Sequence, residues 1–129
     1  MKPSQSSIYR KLEHLHLNLM FVVDRVPKGS LSINIQANRL INECIDAITA
    51  CSMALLSNNK ESKLELIDII VLHMSNIKSI TKIWFEWSSS AGNTIRLISE
   101  KQHAEYLRDM TEIGLQIKGW RNSITNSVS

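Results

Sequence analysis

The chain has 129 residues, which is one domain's worth with a single core. At 43% hydrophobic and 21% charged it excludes a disordered or fibrous chain, and 4 Gly with 2 Pro argue against a turn-rich all-β fold. No apolar run reaches the roughly 18 residues that span a bilayer, and no secretory leader pattern opens the chain. A cytoplasmic protein without membrane contact is expected. Fifteen Lys and Arg against twelve Asp and Glu give a net charge of +3, a mild bias toward a polyanionic partner.

The first predicted helix starts near Ser7 and carries Ile8, Leu12, Leu15, Leu19, Val22 and Val26 at alternating gaps of four and three, a heptad seam. Pro27-Lys28-Gly29-Ser30 ends it. The second carries Ile33, Ala37, Leu40, Cys44, Ala47 or Ile48, Cys51 and Leu55, and stops at the polar run Ser57–Ser62. Cys44 and Cys51 lie about 10 Å apart along such a helix, too far for a disulfide. They read as small buried apolar residues in a reducing compartment.

The third helix follows Ser62 with Leu66, Ile70, His73, Ile77, Ile80, Trp84 and Trp87, widened by Ile67, Val71 and Met74. Ser88–Asn93 stops it. Ser99-Glu100-Lys101-Gln102 then forms a capping box, in which each side chain satisfies a backbone donor that the first turn leaves unpaired. The fourth helix continues through Ala104, Leu107, Met110, Ile113, Ile117, Trp120 and Ile124. Four helices of about 20 to 26 residues joined by short loops predict an all-α, up-down-up-down four-helix bundle over residues 7–124. Residues 1–6 and 125–129 are expected to be flexible.

Leu17, Met20 and Phe21 are rotated well away from the first seam, and Leu72 and Phe85 fall outside the third. Grouped apolar residues off the core line imply a second buried surface, so self-association through Leu17, Met20, Phe21 and Phe85 is expected. Trp84 and Trp87 share a helix side and read as core or interface rather than as a base-stacking platform.

The chemistry of a bundle enzyme is hard to find in these residues. A di-iron core needs two Glu-x-x-His pairs on the core side and two further glutamates; Glu100-x-x-His103 has that spacing in a helix's first turn, and Glu13-x-x-His16 has it off the Leu12, Leu15, Leu19 seam. His14 and His16 are two apart, hence on different sides of a helix. Neither a phosphate-binding glycine loop nor a nucleophile elbow is present. The reading is a non-enzyme with no metal, no cofactor and no small-molecule substrate.

Residues 1–31 hold Lys2, Arg10, Lys11, Arg25 and Lys28 against Glu13 and Asp24, whereas ten bases and ten acids cancel from residue 32 onward. In an up-down bundle one end collects Lys2, Arg10, Lys11, Lys60, Lys63, Lys118 and Arg121. The other end has Arg25, Lys28, Arg96 and Lys101. Arg10, Lys11, Arg25, Lys28, Lys118 and Arg121 are the candidate phosphate contacts, salt-sensitive and largely indifferent to base sequence.

Ser99-x-x-Gln102, Glu112-Ile113-Gly114 and Lys118-Gly119-Trp120 together resemble the closing pattern of the Avd family, the accessory variability proteins of diversity-generating retroelements. These are related to the four-helix proteins of 23S ribosomal RNA intervening sequences. The Ile8-Tyr9 start and Val26-Pro27-Lys28 agree, so the likeness spans roughly residues 7 to 124. The resemblance implies a ring or barrel-like homopentamer of bundles that binds the element's reverse transcriptase and its template RNA or cDNA and supports mutagenic retrohoming. It also implies close helix approach at Gly114 and Gly119, with Trp120 sealing the core. Leu115 stands where the family often has Arg, and the net charge is lower than is usual there. The competing reading is a bundle that assembles with proteins, or an intervening-sequence-type module, without a retroelement role.

Overall fold

The computed structural model describes residues 2–90 and 97–127. Among them the regular structure is entirely helical: a 3-10 turn at Pro3–Gln5, then α1 (Ser7–Val23), α2 (Leu31–Leu56), α3 (Lys60–Ser90) and α4 (Glu100–Thr125). Ahead of α1, where a flexible lead was expected, the 3-10 turn packs on α1 and α2. Ser6 is buried there, and its Oγ accepts the Tyr9 N–H at 3.3 Å.

Local chemistry accounts for the helix starts. Ser30 Oγ accepts the Ile33 N–H, and Asn34 Nδ2 donates to the Lys28 carbonyl at 2.7 Å, which ties α2 to the preceding turn. Asn59 Oδ1 accepts the Ser62 N–H at 3.0 Å and so opens α3 three residues earlier than the polar run suggested. An Asn cap lets Lys60-Glu61-Ser62 serve as the first helical turn. The capping box at α4 is present in both directions, Ser99 Oγ to the Gln102 N–H at 3.1 Å and Gln102 Oε1 to the Ser99 N–H at 3.0 Å.

The helix ends depart from expectation in two places. α1 stops at Val23, so Val26 reaches the core from the connection rather than from the helix. α3 runs on through Ser90, past the point where serines were expected to break it. Helix lengths accordingly span 17 to 31 residues.

α2 packs most extensively on α3, then α1 on α2 and α3 on α4, and α4 closes on α1. Among the described residues no Cα atoms of the diagonal pairs α1–α3 and α2–α4 come within 8 Å of each other. Antiparallel neighbours follow from the cross-links: Gln36 bonds Trp84 while Glu43 bonds His73, and Lys60 reaches Thr125 while Arg121 reaches Asp68. The four-helix bundle is therefore observed.

Leu15, Leu19, Leu40, Ile67, Ile70, Ile77, Trp84, Ile98 and Ile113 form the most deeply buried part of the core. Cys44 and Cys51 are free thiols within it, pushed up to about 12 and about 11 by burial, with Glu43 adding to the Cys44 shift. Thiols so held are protonated and unreactive.

Candidate nucleic-acid interface

The basic residues divide into those spent on the fold and those left to solvent. Lys60 Nζ donates to the Thr125 and Ser127 carbonyls, both at 3.3 Å, closing the C-terminal end of α4. Such a cation meets the unpaired carbonyls and the negative pole of the helix. Arg121 Nη1 lies 2.9 Å from Asp68 Oδ1 and 3.5 Å from the Leu64 carbonyl, so this residue joins α4 to α3. Lys11 Nζ lies 3.3 Å from Glu112 Oε2 across the α1–α4 seam. Both ion pairs are solvent-exposed and contribute little to stability.

Arg10 and Lys118 are exposed and have no ion-pair partner among the described residues. One residue's rotation along α1 turns Arg10 away from the α4 side that Lys11 faces, onto the outer surface. Lys118 stands on the side of α4 from which Arg121 reaches α3. At this end of the bundle the four predicted contacts thus comprise two in intramolecular pairs and two free, on separate faces.

At the opposite end Arg25 and Lys28 are exposed in the connection between α1 and α2, again with no ion-pair partner among the described residues. Lys28 borders a shallow groove of about 480 Å³ lined by Val23, Asp24, Val26, Asn34, Ala37 and Asn38. Its carbonyl is fixed by Asn34, which holds the loop while the ammonium group stays in water. Lys101 is exposed at the start of α4, and Arg96 lies outside the described residues.

The predicted interface residues fall in two settings. Leu17, Met20 and Phe21 form an exposed strip on α1, with Phe21 at 64% exposure. Leu17 shares a groove with Glu13, His16, Ile45, Ile48 and Thr49, between α1 and α2. Phe85 is half-buried and stacks on His103 with ring centroids 4.2 Å apart and planes 12° from parallel, so that ring packs within the chain.

Two features were not anticipated. The first is a polar cluster between α2 and α3: His73 Nδ1 lies 2.6 Å from Glu43 Oε2, and Asn76 Nδ2 donates to the same oxygen at 3.2 Å. A deprotonated carboxylate only accepts, so Nδ1 carries the hydrogen. Burial raises the Glu43 pKa, but the hydrogen bonds from His73 and Asn76 and the charges of His73 and Arg39 outweigh it, leaving the carboxyl below its ordinary value. Sequence spacing marked His73 as facing inward; the acid that it meets is on another helix and leaves no local signal.

The second is the outer side of α2. Its buried line is built of small residues, Ala37, Cys44, Ala47, Ala50, Cys51 and Ala54, together with Ile33 and Leu40. Its large side chains Leu31, Ile35, Ile45, Met53 and Leu56 are exposed instead, Leu31 by 75%. With Asn38, Asn42 and Thr49 between them they fall at steps of four and three, so the available signal is a second line of residues along the same helix.

The glycines of the fourth helix also differ from what the resemblance implied. A Cβ on Gly114 or Gly119 would meet no atom within 4 Å, so neither marks a close helix approach within the chain, and Trp120 is only partly buried against the core.

Among the described residues no group of three His, Cys, Asp or Glu is arranged to hold a metal ion, and no helix is long and apolar enough to cross a membrane. No family model matches the chain, and neither a curated protein nor a solved structure does.

Proposed function

We propose that the chain is a non-catalytic accessory protein that binds nucleic acid and a polymerase partner, the reverse transcriptase of a diversity-generating retroelement. Exposed bases without an ion-pair partner among the described residues support this reading at both ends of the bundle, Arg10 and Lys118 at one and Arg25 and Lys28 at the other. Unpaired cations attract phosphates without reading base edges, which suits a protein that accompanies a template of any sequence. Self-association repeats each set around an axis and strengthens the field. The subunit number of five and the reverse transcriptase rest on the resemblance alone, and a cytoplasmic location rests on the unpaired cysteines and the apolar pattern of the sequence.

The test is charge reversal at those four exposed positions. In the variant carrying Arg10→Glu, Arg25→Glu, Lys28→Glu and Lys118→Glu, affinity for a fluorescein-labelled single-stranded RNA should fall roughly 100-fold at low salt, with the helical signal unchanged. Binding of undiminished strength would remove these residues from the interface.

The exposed strip of Leu17, Met20 and Phe21 favours a second reading, a protein-assembly module that docks through α1 and has no nucleic-acid role. Under that reading Phe21→Glu abolishes assembly, and the charge-reversed variant behaves as the wild type in every assay.

A further inference from the structure

The exposed residues of α2 run Leu31, Ile35, Asn38, Asn42, Ile45, Thr49, Met53 and Leu56 at gaps of four and three, with Arg39 and Asp46 beside them. Over 26 residues, about 39 Å of helix, these two are the only charges in the exposed set. The third charge of the helix, Glu43, is turned to His73. A helix with small residues inside and large apolar residues outside presents a surface that water does not favour.

We propose that this face pairs with the same face of a second copy of the chain, antiparallel, about a two-fold axis passing close to Asn42. The charges identify the occupant. Arg39 and Asp46 are seven residues apart, hence on the same flank of the helix, and Arg39 borders the groove toward α3 with Gln36, Asn76, Ser79, Ile80 and Ile83. In an antiparallel helix pair, same-flank residues face each other. The axis near Asn42 therefore sets Arg39 of each copy against Asp46 of the other, giving two reciprocal ion pairs from one self-complementary surface. Asp46 has no partner within the chain among the described residues, and Arg39 has only Glu43 at 3.8 Å.

The same register brings Leu31 and Ile35 at one end of the helix over Met53 and Leu56 of the second copy, and the reverse at the other end. Asn38, Asn42 and Thr49 occupy the middle, where uncharged polar groups fix the offset of two helices that would otherwise slide. This contact lies on α2, does not depend on the nucleic-acid reading, and leaves the bases at the ends of the bundle uncovered.

The experiment is oxidative cross-linking of Asn42→Cys in the full chain, with Leu115→Cys on the exposed side of α4 as the control. Cys44 and Cys51 are buried and contribute no background. Asn42→Cys should give a disulfide-linked species of twice 14.7 kDa at low micromolar concentration, and Leu115→Cys should remain single. In sedimentation measurements without cross-links, Arg39→Asp or Asp46→Arg alone should weaken the dimer roughly tenfold or more. The double variant should regain most of the loss, a rescue that a merely structural role of either residue does not produce. A chain that stays monomeric, an oligomer in which Asn42→Cys does not cross-link, or single variants without effect would each overturn the proposal. RNA affinity measured on the same variants tests the functional reading separately.

Discussion

Trp84→Ala is expected to lower the unfolding free energy by about 3–5 kcal/mol, a large share of the roughly 5–15 kcal/mol that holds a domain of this size together. The ring is 1% exposed and sits where α2 and α3 pack. Truncation removes its apolar area from the core and leaves a cavity that rigid helices on either side fill only in part. It also strips the Gln36 Oε1 of the indole donor 2.6 Å away, stranding a partly buried acceptor. Trp87, one turn on and 37% exposed, has much less to lose. Its alanine variant should cost less than about 1 kcal/mol. Urea denaturation of the two variants, compared at equal slope, separates them; equal losses would mean that Trp84 does not occupy the core.

Glu43→Ala should cost about 3 kcal/mol. Only 12% of the Glu43 side chain and 19% of the His73 side chain are exposed, so their pairing is largely sheltered from solvent. Removing the carboxylate leaves the His73 Nδ1–H and one Asn76 amide donor without acceptors between the two most extensively packed helices. The effect carries a pH signature. A carboxyl held below its ordinary value contributes stability that is complete above the unfolded value of about 4.5 and is lost as pH falls through the lower folded value. Denaturation midpoints measured from pH 7 down to pH 3 should therefore drop for the wild type below about pH 4.5, and this component should be missing from Glu43→Ala. A variant that parallels the wild type across that range would show that the pair does not stabilise the fold.

Much of the architecture is legible in the spacing of apolar residues. The α1 seam from Ile8 to Val22 is buried as read, and in α2 the line Ile33, Ala37, Leu40, Cys44, Ala47, Cys51 faces the core. Capping chemistry located the start of α4 to the residue. The α3 stripe is less legible: the widening residues Ile67 and Met74 are buried, Leu66 and His73 on the main line are only partly so, Val71 is exposed, and Thr81 joins the core unannounced. A strict seven-residue repeat drifts about 20° per heptad on a straight helix. Over the 31 residues of α3 that drift carries the core line off a single heptad reading. In α4 Tyr106 is buried and Ala104 exposed, because the core line runs Tyr106, Met110, Ile113, Ile117 at steps of four and three and Ala104 lies about 200° round the helix from Tyr106.

The candidate interface was legible only as a distribution of charge. Which bases are neutralised depends on acids from other helices, Glu112 for Lys11 and Asp68 for Arg121, and no local pattern records such pairs. The outer face of α2 is hard to see in the sequence for a different reason. Small residues on a seam are normally weak evidence for burial, yet close packing of α2 on its neighbours favours them. The bulky residues at Leu31, Ile35, Ile45, Met53 and Leu56 then belong outside, where a second surface can use them.

The functional reading is tested most directly by titrating the unmodified protein into fluorescein-labelled single-stranded RNAs of different sequence across a series of salt concentrations. The four bases assigned to the contact, each releasing about 0.7 of a counterion on a single strand, predict a log–log slope near −3 per chain engaged, with similar affinities for each sequence. Absence of binding at low salt, or binding that does not weaken as salt rises, would contradict the proposal that Arg10, Arg25, Lys28 and Lys118 hold a nucleic acid.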